Sequence, residues 1–223
     1  RYSFFLFAIL LSAFSDLEAK NSKDVSNTEV KRKTISHKKK YSLTLANSKD
    51  GHPVRSGKKS YRFEVRLGDC GKDSGHDDCK KDRQRTELQF KKHQMGKKDH
   101  WYSASIYLPE DYQSVAPVRT TFAQLYEKGW KPILMVTDRS GEWLEVGRMW
   151  SGEYVEMKKA IRINDMRGKW TDVLINARYS REENGFMKVW INNKLILNAE
   201  NIKNITPYTL SLIHISEPTR QAE

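Results

Sequence analysis

Apolar and polar residues alternate with a period of two through most of the chain from Tyr41 onward. Turn residues interrupt the pattern, and no long amphipathic helix stands out. Period two belongs to half-buried strands, whose successive side chains point to opposite faces. It predicts strands over 41–46, 60–67, 83–91, 101–108, 119–127, 132–137, 142–149, 170–180 and 186–198. Asn192-Asn193, between Trp190-Ile191 and Leu195-Ile196, predicts a tight turn dividing the last of these. Many short strands at this spacing predict an all-β protein, a sandwich or jelly roll of two stacked sheets. Trp101, Trp143, Trp170 and Trp190 fall on these strands, where some must be core.

Two strands carry candidate chemistry. In Asp82–Phe90 (DRQRTELQF), alternation puts Arg83, Arg85, Glu87 and Gln89 on one face and Thr86, Leu88 and Phe90 on the other. A face with two guanidiniums and a carboxylate is either a solvated surface or the floor of a groove that grips an anion. In Thr120–Tyr126, Ala123 and Leu125 suit a core, while Phe122, Gln124 and Tyr126 share the opposite face. Arg85 and Gln124 on neighbouring strands could clamp a carboxylate between a bidentate cation and an amide donor. Tyr126 would stand beside them as a phenol able to give or take a proton. Arg83, Lys131, Trp130 and Arg148 are the candidate substrate-binding residues, though Arg148 fits a solvated strand face equally well. Glu87 is better explained as a buried partner of Arg83 or Arg85 than as an acid.

The ends read differently. Phe4–Phe14 (FFLFAILLSAF) is an apolar run of leader length, shorter than a membrane span, so residues 1–19 are expected to be a signal peptide. Residues 20–40 are rich in Lys, Ser, Asn and Thr and end in His37-Lys38-Lys39-Lys40. They read as a basic disordered linker. The folded domain is expected over 41–209. Leu210–Arg220 (LSLIHISEPTR) resembles the translation of a sequencing-library transposon adapter, so 210–223 is expected to be a non-native tail. The expected location is therefore secreted, extracellular or periplasmic, with no membrane attachment after cleavage and a monomeric state.

The formal charge is +12, of which the 41–209 segment holds +8. A basic domain attracts polyanions. Export disfavours nucleic acid and favours an acidic polysaccharide. Cys70 and Cys79 lie in one loop, GDCGKDSGHDDCKKD, and in an exported protein the default is a disulfide between them. A metal set of Cys70, His76, Cys79 and an aspartate matches no common zinc spacing. Asp69, Asp73, Asp77 and Asp78 do not follow EF-hand spacing either. No metal is assigned and no cofactor is required, with structural calcium left open.

The ordered motifs GDCG…DC, DRQRTEL, WYSASIYLPEDY, FAQLY…KPIL, GKWTDVLINARYS and GFMKVWINNKLI resemble the secreted polysaccharide lyases with a concanavalin A-like jelly roll. That group surrounds heparin lyase, glucuronan lyase and the alginate lyases, and the heparin-lyase-related branch is the nearest in pattern. The likeness covers roughly residues 41–208. It implies β-elimination on a uronic-acid polymer: a heparin-like chain, glucuronan or alginate. By position Arg85 matches the Arg of the family's R-[ST]-E-L strand, and Gln124 the Gln of its Q-x-H strand, where this chain has Tyr126 in place of His. The resemblance also implies a Y-x-K-x-G-x-Y strand, expected after Tyr208, where the adapter-like segment stands. It implies that a jelly roll without that strand lacks its last element and its proton-transfer tyrosine, and is inactive as it stands.

Two rivals remain. A glycoside hydrolase needs two carboxylates facing across the bond, and the nearest pair, Glu142 and Glu145, falls on opposite strand faces. A non-catalytic carbohydrate-binding or lectin-like module needs no proton-transfer set.

Overall fold

Period-two patterning becomes two packed antiparallel sheets. The structure, a computed structural model, describes residues 2–7, 39–73, 76–81, 83–89, 99–127, 131–205 and 210–215. The strands are β1 (Tyr2–Phe7), β2 (Leu43–Asn47), β3 (Lys59–Val65), β4 (Lys72–Asp73), β5 (His76–Asp77), β6 (Leu88–Gln89), β7 (Asp99–Tyr107) and β8 (Thr120–Glu127). They continue as β9 (Lys131–Asp138), β10 (Trp143–Trp150), β11 (Glu153–Arg162), β12 (Trp170–Arg178), β13 (Gly185–Ile191), β14 (Lys194–Ile202) and β15 (Leu210–Ile215). One short helix, α1 (Ile163–Met166), follows β11.

A six-stranded sheet runs β11-β10-β9-β8-β15-β6 and a seven-stranded sheet runs β14-β13-β12-β7-β1-β3-β2. Ala123, Leu125, Leu134, Val136, Leu144 and Val146 project from the first onto Tyr102, Ile106, Val173, Ile175, Met187 and Val189 of the second. Ala123 and Leu125 are the positions that alternation along Thr120–Tyr126 assigned to the core. The architecture is the expected jelly-roll sandwich. Asn192 and Asn193 both take left-handed backbone angles, φ 47° and 65°, and join β13 to β14 as the predicted tight turn.

Several elements differ from the expectation. Residues 83–87 are not ladder strand, and only Leu88–Gln89 pairs in this region. The backbone N–H of Arg83 donates to the carbonyl of Asp78 at 2.8 Å, so the segment is bonded to the preceding loop instead. β11 was not anticipated. Its sequence EYVEMKKAIR is rich in charge because it is the edge of its sheet, where Lys and Glu discourage further pairing.

Two strands come from the ends of the chain. β1 pairs with β3 and β7, and β15 pairs with β8 and β6. Each fills a place where flanking strands would otherwise present unpaired backbone groups. The slot between β8 and β6 is occupied by β15. The remainder of the leader-like run and residues 20–38 of the linker lie outside the described residues.

The Cys70–Cys79 disulfide is formed, as expected. Its loop is held from both sides. The Asp69 carboxylate accepts from the Tyr41 hydroxyl at 2.8 Å and from the Arg66 backbone N–H at 2.7 Å. Arg62 and Arg66 close on the fully buried Glu64. Closing so short a loop removes denatured-state freedom worth about 2–3 kcal/mol. Cys70→Ser is accordingly expected to lower unfolding free energy by roughly that amount. A urea titration of both proteins under non-reducing conditions checks it, and equal midpoints would remove the disulfide from the stability account.

The core also carries titratable phenols. Burial pushes Tyr102 up to about 12, partly offset by the hydrogen bond with Tyr179, and burial raises Tyr179 as well. Folded phenols therefore keep their protons where unfolded ones lose them. Stability is at its full value below pH 10 and is lost as the pH climbs from 10 through 12. From Tyr102 alone the loss is about 2–3 kcal/mol. Tyr102→Phe should flatten that alkaline decline in urea midpoints, and an unchanged slope would reject the assignment.

Candidate active site

The outer face of the six-stranded sheet, turned away from the seven-stranded one, gathers the candidate chemistry. On β8 a bulge lies between Thr121 and Ala123, and an irregularity separates Leu125 from Tyr126 in the pairing with β9. Phe122 is the extra residue. It is buried in the core beside Tyr112, at 6.3 Å between ring centroids. The expectation that Phe122 shares the face of Gln124 and Tyr126 is therefore corrected: the bulge turns it inward. Gln124 and Tyr126 stay on the outer face. Gln124 stands opposite Met135, which stands opposite Gly147. The same bulge puts Thr121, opposite Thr137, on this outer face as well.

Arg85 is 8 % exposed and ion-paired with two carboxylates, with its buried Nη2 making no hydrogen bond among the described residues. Its Nε lies 3.0 Å from both Asp78 oxygens, its Nη2 lies 2.8 Å from Asp78 Oδ1, and its Nη1 donates to Glu87 at 3.1 Å. Burial alone would lower its pKa, but Glu87 and Asp78 outweigh that and hold it above the ordinary arginine value. Glu87 is thus the buried partner of Arg85, as expected from its chemistry. Thr86 turns the other way, towards the Glu64 carbonyl of β3. Alternation of faces across 85–87 survives even though the ladder does not.

Tyr126 is the electrostatic centre of the site. Burial and the Glu87 carboxylate push its pKa upward, against the pull of Arg83, Arg119 and Arg85. The phenol consequently holds its proton at neutral pH, although three guanidiniums act on it. Arg83 is exposed. Gln124 is 6 % exposed.

The other candidate positions are less central. Lys131 is exposed at the start of β9, opposite Glu127. Arg148 pairs in register with Leu134, a core-facing position, and its Nε lies 3.5 Å from Glu156. It is not brought to the face of Gln124. Trp130 lies outside the described residues. Trp101 stacks on Trp190 at 5.9 Å, and Tyr107 packs on Trp170 at 5.3 Å, both on the seven-stranded sheet. Glu142 is exposed and near Arg162, while Glu145 is buried, so these two make no facing pair.

Three aspartates of the disulfide loop have protein partners. Asp78 holds Arg85, Asp69 holds Tyr41, and Asp77 lies 3.5 Å from Lys72. Among the described residues no group of three or more His, Cys, Asp or Glu is placed to hold a metal ion.

Sequence patterning missed Arg119. Its Nη1 donates to the Tyr154 hydroxyl at 3.3 Å, and that hydroxyl reaches Met135 Sδ at 3.6 Å. Arg119 therefore reaches the Met135 position that faces Gln124. Odd numbering assigns it to the core-facing set of Ala123 and Leu125. Only the bulge at Phe122 reverses that assignment, and no local signal in the sequence announces it. The Tyr154 ring lies across Gly147, where any Cβ would overlap it. Gly147→Ala should force the ring away at a cost of about 1–3 kcal/mol. A thermal melt checks this, and an unchanged melting temperature would show that the ring is free to shift.

Comparison with known proteins bears on this arrangement. A search of curated proteins finds no match. Among solved structures, the fold is similar to the endo-β-1,4-glucuronan lyase of the fungus Trichoderma reesei. The identity is 14 %, covering 82 % of this chain and 78 % of that one, with a TM-score of 0.60. At that identity the likeness speaks for the fold. The profile of a family described as "Polysaccharide lyase" matches residues 26–213, which includes every residue of the site above, and by that match the chain belongs to the polysaccharide lyase family.

Proposed function

We propose that the protein cleaves a uronic-acid-containing polysaccharide by β-elimination. In that reaction a general base takes the C5 proton and the C4–O bond breaks. A C4=C5 double bond forms, and the departing glycosidic oxygen takes a proton. The observation that carries the reading is the placement of Gln124 and Tyr126 together on the outer sheet face, with Arg83, Arg85 and Arg119 acting on the phenol. Cations and an amide donor near the sugar carboxylate acidify C5 and stabilise the enolate-like intermediate. Tyr126, holding its proton at neutral pH, is suited to protonating the leaving oxygen. Arg85, locked between Asp78 and Glu87, holds the Glu87 carboxylate in place beside Tyr126. Arg83 and Lys131 are the exposed cations available to the polymer.

Export is supported by the Cys70–Cys79 disulfide, since such bonds persist in oxidising compartments. The substrate panel begins with glucuronan, because the similar fungal structure is a glucuronan lyase, and continues with alginate and heparin.

The test is ultraviolet absorbance of the unsaturated product on that panel. Absorbance rising with at least one polymer is expected. Binding without any product would leave a carbohydrate-binding module instead. On the cleaved polymer, Gln124→Ala is expected to lower kcat by about 10²–10³-fold, the usual cost of one donor to a developing oxyanion. Arg85→Ala is expected to lose turnover too, and full turnover in both variants would refute this site.

A further inference from the structure

We propose that Arg119, oriented by Tyr154, is the residue that binds the sugar carboxylate beside Gln124 and Tyr126. The inference rests on the uronate-polymer reading above and assigns the anion contact within it.

Arg85 is poorly placed for that contact. Asp78 and Glu87 both close on its guanidinium, with Asp78 at 2.8 Å and Glu87 at 3.1 Å. Two carboxylates around one cation leave a local excess of negative charge, which repels a third carboxylate. Arg148 is tied to Glu156 and shares the register of core-facing Leu134. Lys131 stands at the far end of its strand, exposed to solvent, where a single charge attracts weakly.

Arg119 has the opposite properties. It is half-buried, and no carboxylate pairs with it among the described residues. Its Nε is buried with no hydrogen-bond partner among them. The group that its Nη1 meets is neutral, the Tyr154 hydroxyl at 3.3 Å. An arginine that is half removed from water and has no carboxylate to compensate its charge is an anion site in waiting. Its planar fork suits a carboxylate, and reduced contact with water strengthens the attraction.

Placement agrees with this role. The Tyr154 hydroxyl contacts Met135 Sδ at 3.6 Å, and Met135 is the residue opposite Gln124. The guanidinium is thereby held on the sheet face that carries the Gln124 amide. Tyr154 itself is seated over Gly147, the neighbour of Met135 on β10, so the glycine makes room for the ring that orients the arginine. Arg83 is the other cation with no carboxylate partner among the described residues that acts on Tyr126. It is exposed, so it serves the polymer's general charge better than one fixed carboxyl group.

The experiment measures binding, independently of cleavage. Glucuronan and alginate oligomers, and the same oligomers with their carboxyl groups reduced to alcohols, are titrated calorimetrically into the full chain. The wild type is expected to prefer the carboxylated forms by about tenfold or more, as a good charged hydrogen bond provides. Arg119→Ala should cut that preference several-fold, Arg119→Lys should restore part of it, and Tyr154→Phe should weaken it less than Arg119→Ala does. An Arg119→Ala protein with wild-type melting temperature and undiminished preference overturns the proposal. So does a wild type with no preference for carboxylated oligomers. Loss of preference in Arg119→Ala, with no unsaturated product from the wild type, would sink the lyase reading and leave the anion site standing.

Discussion

Tyr126→Phe is expected to lower kcat by about 10²–10⁴-fold on the uronate polymer that the protein cleaves, with KM changed by less than roughly threefold. The substitution removes one oxygen and keeps the ring, so the packing of β8 against its neighbours is preserved. What is lost is the proton. Burial and Glu87 raise the phenol's pKa in spite of Arg83, Arg119 and Arg85. A tyrosine in that setting is a proton donor across the neutral range. The sign of the pH dependence follows. As a donor, Tyr126 is active in its protonated form, so kcat stays level through neutrality and falls only above about pH 10, the ordinary phenol value. As a base it would show the reverse, with kcat climbing as the phenol ionises. The kcat profile of the wild type therefore separates the two roles. Wild-type kcat in the Tyr126→Phe protein would exclude both.

The second large effect concerns stability. Asp78→Ala is expected to destabilise the protein by about 3 kcal/mol, the lower end of the range for breaking a buried ion pair. The lower end applies because Arg85 would keep Glu87 at 3.1 Å. Asp78 is fully buried and Arg85 is 8 % exposed, so solvent screening relieves little of the stranded charge. For a domain of this size the fall in melting temperature is on the order of 6–12 °C. Asp78 also organises its loop through the backbone. Its carbonyl accepts from Arg83 at 2.8 Å and from Lys81 at 3.1 Å, while its N–H donates to Gly71 at 2.9 Å. Asp78→Asn keeps acceptor capacity and loses the charge, so it should fall between wild type and alanine. A change below roughly 0.5 kcal/mol in Asp78→Ala, the level of an exposed pair, would mean that the ion pair contributes as a surface contact does.

These two residues show where sequence patterning succeeds and where it stops. The pairing of Arg85 with Glu87 is legible, because residues two apart on extended backbone share a face. The pairing of Arg85 with Asp78 is not, because it depends on how the disulfide loop folds back over seven residues. Gln124 and Tyr126 fall together as spacing of two requires. Phe122 departs from its expected face for the complementary reason: one bulge residue shifts the phase, and alternation carries no mark of it. Arg119 escapes the pattern through that same shift. β11 does so because an edge strand is selected for charge, which dilutes the apolar signal that period two relies on.

Sequence by itself determined the local quantities. The period of two specified strands, the Asn192-Asn193 pair specified a tight turn, and two cysteines nine residues apart specified one cross-link. Each depends on backbone geometry or chain proximity over a few residues, so a short window contains the whole cause. Tertiary structure alone decided how Arg119 meets Tyr154 across the sheet, which cations are neutralised, and which strand fills the place between β8 and β6. Those outcomes depend on contacts between segments distant in sequence, where burial strengthens charge interactions and unpaired backbone demands a partner. No period along the chain encodes them.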